Sequence, residues 1–491
     1  MKLHFPLFIM CVLPYSLLKA QGVKKITLEE MIRQTQTQSA QFKVAETQNE
    51  LNYYQYLTYK SDLKPQISLY GILPSYSKQY TPIVQPDGTI VYLPLQQNTN
   101  QIGFSLDQKL PFSGGNLSLN MELSQFYDFK SQFKQYNGTP FFLRLNQPLF
   151  GFNQLKWSKK IEPLKLKESR VNFAQQMEDI ARQVSDLYFQ VLYAQSNIII
   201  AKQNVISTKV NYDIEKKRIK LGTTTEDKVL QLELQTLKSS QELEKSNYDY
   251  KVAELNLRNY AGITNADSLQ LELPENISFF LVDVKQAVGF AKEFRPEYIK
   301  FERERLEGER NVAEAKAANK QINLTATYGL NRAADNLETI YSDPKGQQTI
   351  SVGINVPFID WGRRRARYNT AKAQEKLTNY TNQLGDVSIV QEIVTLVTNI
   401  DLLKSGINLA RKTDSVALLR FDIANKLFKT NKLSITELNL AQQEKDNSRR
   451  LYISALKDYW SSYYLLRKQT MFDFEKKLPL YSTNKVEQMS N

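Results

Sequence analysis

The chain has 491 residues but only one cysteine, Cys11, and one histidine, His4. Both lie in a stretch that reads as a secretory signal over residues 1–20. Lys2 supplies its positive start, Phe5 to Leu18 its short apolar core, and Leu18-Lys19-Ala20 its cleavage point. Removing that stretch leaves no thiol and no imidazole, so thiolate nucleophiles, histidine bases and His- or Cys-ligated metal sites are excluded. Carboxylates remain, but without a paired-acid constellation, and no phosphate-cradling glycine loop accompanies the Arg363-Arg364-Arg365-Arg367 cluster. The expected catalytic, cofactor-binding and metal-binding residues are none, and the chain is not expected to be an enzyme. Cleavage also takes the formal charge from +13 to +11 (13 − 2) through Lys2 and Lys19. Because basic and acidic residues are interleaved, they read as solvated helix faces, and no nucleic-acid partner is expected.

Two kinds of element must carry whatever the chain does. From Leu164 to Leu221 there is neither Gly nor Pro. A helix over that stretch spans roughly 87 Å at 1.5 Å per residue, far beyond what a globular domain needs. Gly222 breaks it, and Thr223 to Ala261 reads as the returning arm of an antiparallel hairpin. Between Pro65 and Phe150 the period changes to two. Ile67-Leu69-Gly71, Ile102-Phe104-Leu106, Leu117-Leu119-Met121-Leu123 and Phe141-Leu143-Leu145 alternate with small or polar residues, giving four strand candidates. Pro86-Asp87-Gly88, Pro111 to Gly115 and Asn137-Gly138 mark the turns expected between them. No later stretch is apolar for the 18 or more residues that a transmembrane helix requires.

The pattern recurs. Pro148 and Pro357 stand 209 positions apart (357 − 148), as do Gly222 and Asn431 (431 − 222), so the chain holds an internal duplication. Gly71 and Gly329 are offset by 258, so the first half carries 49 extra residues (258 − 209), give or take about two, all in its strand region. The expected organisation is a signal peptide over 1–20 and a first repeat over 21–261. That repeat holds a helix capped by Thr27 and Glu30, about four strands in 65–150, and a long helical hairpin over 153–261. An equatorial segment over 262–295 follows. The second repeat, 296–471, holds a helix, two strands in 322–357 and a hairpin over 363–471 interrupted at Gly385 and Gly406. A flexible tail over 472–491 ends the chain.

The strands have one apolar and one polar face, as a half-buried soluble sheet has, and as a membrane barrel must have. The secretory signal, the lack of a soluble core for the sheet and the aromatics at its ends favour the barrel. Phe150, Phe152, Phe358 and Trp361 form the expected girdle at the membrane interface. Open sheet edges are not tolerated in lipid, so six strands imply an oligomer sharing one barrel.

In these features the chain resembles the TolC-like family of outer-membrane efflux channels. The resemblance is carried by Thr27-Leu28-Glu29-Glu30, Arg295-Pro296-Glu297, the run Val356-Pro357-Phe358-Ile359-Asp360-Trp361-Gly362-Arg363-Arg364-Arg365, the Leu221-Gly222 tip and the 209-residue repeat. It implies an α+β membrane protein: long periplasmic helical hairpins forming an α-barrel, and an outer-membrane β-barrel shared by a homotrimer. It implies a passive export duct from periplasm to exterior in a tripartite efflux pump or type I secretion system. Its expected partners are a periplasmic adaptor (membrane fusion) protein, an inner-membrane transporter of RND or ABC type, and outer-membrane lipid.

Helix tips Leu221, Gly222, Thr223, Thr430 and Asn431 become candidate adaptor contacts. The family's gate acids, counted six and nine positions from Asn431, fall on Glu437 and Leu440, so Glu437 is a candidate carboxylate ring, with Asp227, Lys429 and Lys432 beside it. Glu437 also reads as an ordinary solvated helix residue, and the tip Gly222 as a plain hairpin turn. The chain departs from the family at Trp361 and Asn431, where Gly is usual, and in its four first-half strands. Those strands imply either an eighteen-stranded barrel or an extra hairpin over the barrel mouth. The competing class is a secreted coiled-coil structural or adhesive protein, which explains the long helices but not the strands between them in both halves.

Overall fold

A computed structural model describes residues 25–264, 269–277, 280–318, 321–355, 359–430 and 432–481. The signal reading over 1–20, Phe358 and Asn431 lie outside the described residues. In chain order the first half holds α1 (Leu28–Gln38), α2 (Ala40–Asp62), β1 (Gln66–Val84), β2 (Ile90–Leu110), β3 (Gly115–Asp128), β4 (Phe133–Pro148), α3 (Gln154–Lys220) and α4 (Glu226–Ala261). The second holds α5 (Val284–Phe294), α6 (Pro296–Ala317), β5 (Gln321–Ala334), α7 (Leu337–Ser342), β6 (Lys345–Asn355), α8 (Arg363–Lys429) and α9 (Ile435–Thr470). Two short strands, β7 (Phe472–Asp473) and β8 (Leu478–Pro479), close the chain.

The duplication is visible helix by helix. α3 and α8 each have 67 residues and α4 and α9 each have 36. Both pairs are offset by 209 (363 − 154 and 435 − 226). α1 and α5 each have 11 residues at an offset of 256 (284 − 28), which α2 and α6 share (296 − 40). The repeated unit therefore starts at α5, inside the segment expected to be a separate equatorial element. The insertion in the first half becomes 47 residues (256 − 209).

The chain forms two compact units. One comprises the described parts of 25–42, 180–277 and 400–464, the other those of 43–179, 280–399 and 465–481. In the first unit, Thr27 and Glu30 make the expected capping box. The single long first helix expected here is instead two. Ser39 leaves helical geometry, ends α1, and its hydroxyl accepts from Phe42 N–H at 3.1 Å to start α2. Serine hydroxyls compete with the helix backbone in this way, which is why serine favours caps. Tyr188 on α3 is fully buried and ties the flanking chain down: its hydroxyl lies 2.8 Å from the Ile26 carbonyl and accepts Glu272 N–H at 3.0 Å. Burial pushes that phenol well above its usual range.

In the second unit all six long strands form one antiparallel sheet in the order β1-β2-β3-β4-β5-β6. Several sequence expectations are corrected here. Asn137-Gly138 is not a turn but lies inside β4. Gly is required there by close approach, because a Cβ would stand 2.3 Å from the side chain of Ile340 on α7. That helix lies in the connection between β5 and β6 and buries Ile340 completely. α3 begins at Gln154, within one residue of the hairpin start expected at 153, and carries Pro163 inside it. α8 runs unbroken through Gly385 and Gly406. At Gly385 the missing side chain makes room for the Phe301 ring of α6. α6 is also fixed by Tyr298 donating to Asp386 of α8 at 2.7 Å, and by Arg303 donating to Glu168 of α3 at 2.6 Å. The tail expected to be loose is folded over 472–481. Phe472 stacks on Phe290 with ring centroids 4.0 Å apart, and buried Asp473 pairs with Arg467 at 3.2 Å.

Candidate gate and membrane surface

The sheet separates chemistry by face. Directly paired residues point to the same side, so the register gives the rows. Ile67, Leu106, Leu119, Leu143 and Tyr328 form one row across β1 to β5. Leu145, Ala326 and Ile350 continue the same face onto β6. One residue along, Gln66, Asp107, Ser118, Arg144, Thr327 and Thr349 form a polar row on the opposite face across all six strands. On that polar face Tyr70 crosses over Gly103 to donate to Glu122 at 2.9 Å, joining three strands. The apolar face lies open. Ile67 and Ile350 are each 77% exposed, and Leu69, Phe104, Met121, Val352 and Ile354 are exposed with them. α7 covers part of it, at the end away from the long helices.

Of the residues expected to form the girdle, the described ones, Phe150, Phe152 and Trp361, lie where the strands meet those helices. Phe150 is exposed, Phe152 partly so, and Trp361 is 96% exposed. Phe112 in the β2–β3 turn is exposed at the same end, and sequence reading missed it. The opposite end carries a second aromatic set that was also missed: Tyr76, Tyr127 and Phe129 in edge-to-face contact, with exposed Tyr80 and Tyr92. Among the described residues no helix is long and apolar enough to cross a membrane.

The helix tips are built differently. α3 ends in a Schellman motif: Gly222, at φ +66°, donates to the Ile219 carbonyl, and Thr223 N–H to that of Arg218 at 3.0 Å. Lys432 N–H to the Leu427 carbonyl, 2.9 Å, is the same bond 209 positions on (432 − 223). Leu221 is 76% exposed. Thr223 and Thr430 turn their hydroxyls back onto their own helices, to the Arg218 and Leu427 carbonyls. Glu437 closes a capping box with Ser434, accepting from its hydroxyl at 2.7 Å and its N–H at 3.0 Å, while the Ser434 hydroxyl accepts Glu437 N–H. Those bonds hold its carboxyl below the usual glutamate range. Asp227 sits in the first turn of α4, where the helix dipole favours an acid.

The residue that joins the tips is Arg218. It pairs with Glu215 at 2.5 Å on α3, and reaches the last carbonyls of α8, Phe428 at 3.4 Å and Lys429 at 3.2 Å. Its guanidinium lies over the Phe428 ring. Phe428 belongs to a small tip core with Leu232, Ala424, Ile435, Leu438 and Ala441, with Tyr212 packed against it. A cation at a helix C-terminus is favourably placed. Sequence reading missed Arg218. The duplication carried a signal for it, since the equivalent position, 427 (218 + 209), is a leucine.

An amphipathic six-stranded sheet with an exposed apolar face, interrupting repeated long helical hairpins, defines a class: an oligomeric duct with a lipid-facing barrel. The outer membrane efflux protein family matches residues 31–263 and 301–469, and the chain belongs to it. It is an outer-membrane channel whose helical part stands in the periplasm. Its fold is similar to the Campylobacter jejuni CmeC outer membrane channel (TM-score 0.69, 15% identity, 94% of this chain and 89% of that one). It is also similar to VceC of Vibrio cholerae (0.63, 14%, 90% and 95%) and to the open state of Neisseria gonorrhoeae MtrE (0.62, 14%, 90% and 88%). No curated protein matches the chain.

Proposed function

We propose that the chain is the exit duct of a tripartite efflux pump or type I secretion system: a homotrimer whose helix tips meet a periplasmic adaptor protein coupled to an inner-membrane transporter of RND or ABC type. The observation that carries this reading is the equality of the two helical hairpins, 67 and 36 residues in each repeat, which gives both tips one common level. Transport is passive, and the gate is the tip. Arg218 holds the α3 and α8 ends together, and opening separates them. Exposed Leu221 and the Thr223 and Thr430 segments are the adaptor contacts. Glu437 keeps its capping role and, in a trimer, adds a ring of three carboxylates, whose preference for cations is opposed by Lys429 and Lys432 nearby. Mild extraction of tagged protein from the membrane should bring down an adaptor and an inner-membrane transporter together. Recovery of the protein with neither, under conditions that preserve its own assembly, contradicts the proposal.

A further inference from the structure

We propose that all six strands stand in the membrane wall, so that three copies close an eighteen-stranded barrel (6 × 3) by pairing β1 of one copy with β6 of the next. The proposal deepens the trimeric duct reading and rests on it. The resemblance to the TolC-like family implies four strands per copy, with two in each half. Here the first half holds 47 more residues than the second in this region, and they add two strands between the equivalents of β5 and β6.

Three observations place the added strands in the wall rather than over its mouth. The hydrogen-bonded ladder is continuous from β1 to β6, with β2 and β3 in the middle of the sheet and not folded across it. The apolar and polar rows run through β2 and β3 without changing face: Phe104 and Met121 are paired and exposed on the apolar side, and Ser105 and Asn120 are paired on the polar side. The Tyr70–Glu122 bond spans β1 to β3 on the polar face, tying the added strands to the lining of the channel. A hairpin lying over the mouth has water on both faces and needs no such separation.

Both sheet edges, β1 and β6, carry unsatisfied backbone groups that lipid does not tolerate, so the occupant of each edge is a second copy of this chain. With strands about 4.8 Å apart and tilted about 40°, eighteen strands give a backbone diameter of roughly 36 Å, against roughly 24 Å for twelve. That is about 2.25 times the cross-section, in the size class of barrels that leave an open aqueous channel. The membrane exit then places no tight limit on cargo width, and size selection falls to the tip.

The test uses single cysteines in a Cys11→Ser background, each checked for trimer assembly. They are exposed in intact outer membranes to a charged thiol reagent that does not enter lipid. Ser105→Cys and Asn120→Cys should label from the aqueous lumen, and Phe104→Cys and Met121→Cys should show no labelling. Ser351→Cys and Val352→Cys on β6 report the duct reading itself, the first labelled and the second protected. Labelling of Phe104→Cys and Met121→Cys with Val352→Cys still protected overturns the eighteen-stranded wall and leaves the duct standing. Labelling of Val352→Cys as well overturns the membrane barrel altogether.

Discussion

At Arg218 one guanidinium serves a buried carboxylate, an aromatic ring and two helix-terminal carbonyls. The Glu215 carboxylate beneath it is almost fully buried. Removing the cation strands that charge, which typically costs 3–5 kcal/mol for a buried pair, so Arg218→Ala should loosen the tip rather than the sheet. In planar bilayers its single-channel conductance should rise above that of the parent; an unchanged closed state contradicts the latch. Glu437 offers a second residue-scale prediction. Its folded pKa is depressed by the Ser434 hydroxyl and then by the Ser434 N–H. The stabilisation is therefore present above the unfolded value of about 4.3 and is lost as pH falls through the lower folded one. Amide exchange in the first turn of α9 should quicken over that acid window. It should not do so in Glu437→Gln, because glutamine also closes a capping box. Identical acid dependence in both proteins contradicts this account. Counting from the tip singled out Glu437 in the sequence, but not its capping bonds with Ser434. Arg218 was not legible: the duplication marks it only as a position where the repeats differ, and the carbonyls it reaches on the other tip come together only in the fold.

At the scale of elements, the long helices' tip ends and the strand faces were legible, because breaker residues mark the first and a period of two the second. What escaped was set by tertiary contact. Gly138 looks like a turn residue in sequence but marks where Ile340 presses against a strand. Gly385 looks like a breaker but marks where Phe301 approaches α8. Strand lengths escaped too. β1 and β2 pair from Gln66↔Asp107 out to Val84↔Ile90, whereas β3 stops at the Gln97↔Asp128 pair. From Lys78 to Gln96 the sheet is therefore a two-stranded ribbon beyond its neighbours, at the end away from the helices. Since a tilted strand crosses a bilayer in about 9–11 residues, the 19 residues of β1 exceed the membrane by about eight. An epitope inserted at Asp87-Gly88 should bind antibody on intact cells. Binding only after the outer membrane is opened contradicts this orientation.

For the whole molecule, the decisive fact is an apolar sheet face that stays exposed over most of its width, with α7 covering one end. In a soluble fold such a face is covered; here Ile67, Phe104, Met121, Ile350 and Val352 stay open across six strands, and lipid is the remaining partner. The alternation that predicts this was readable in the sequence. The single continuous sheet was not, since pairing between β4 and β5 joins residues 175 (323 − 148) to 198 (334 − 136) positions apart. The same openness leaves β1 and β6 as bare edges, which only further copies can close. Electron cryo-microscopy of the assembly extracted from the outer membrane tests this most directly. Three copies around one axis, with β1 of each paired to β6 of the next in a closed ring, are the expected result. A single chain with its sheet edges open, or copies joined through their helices alone, would contradict it.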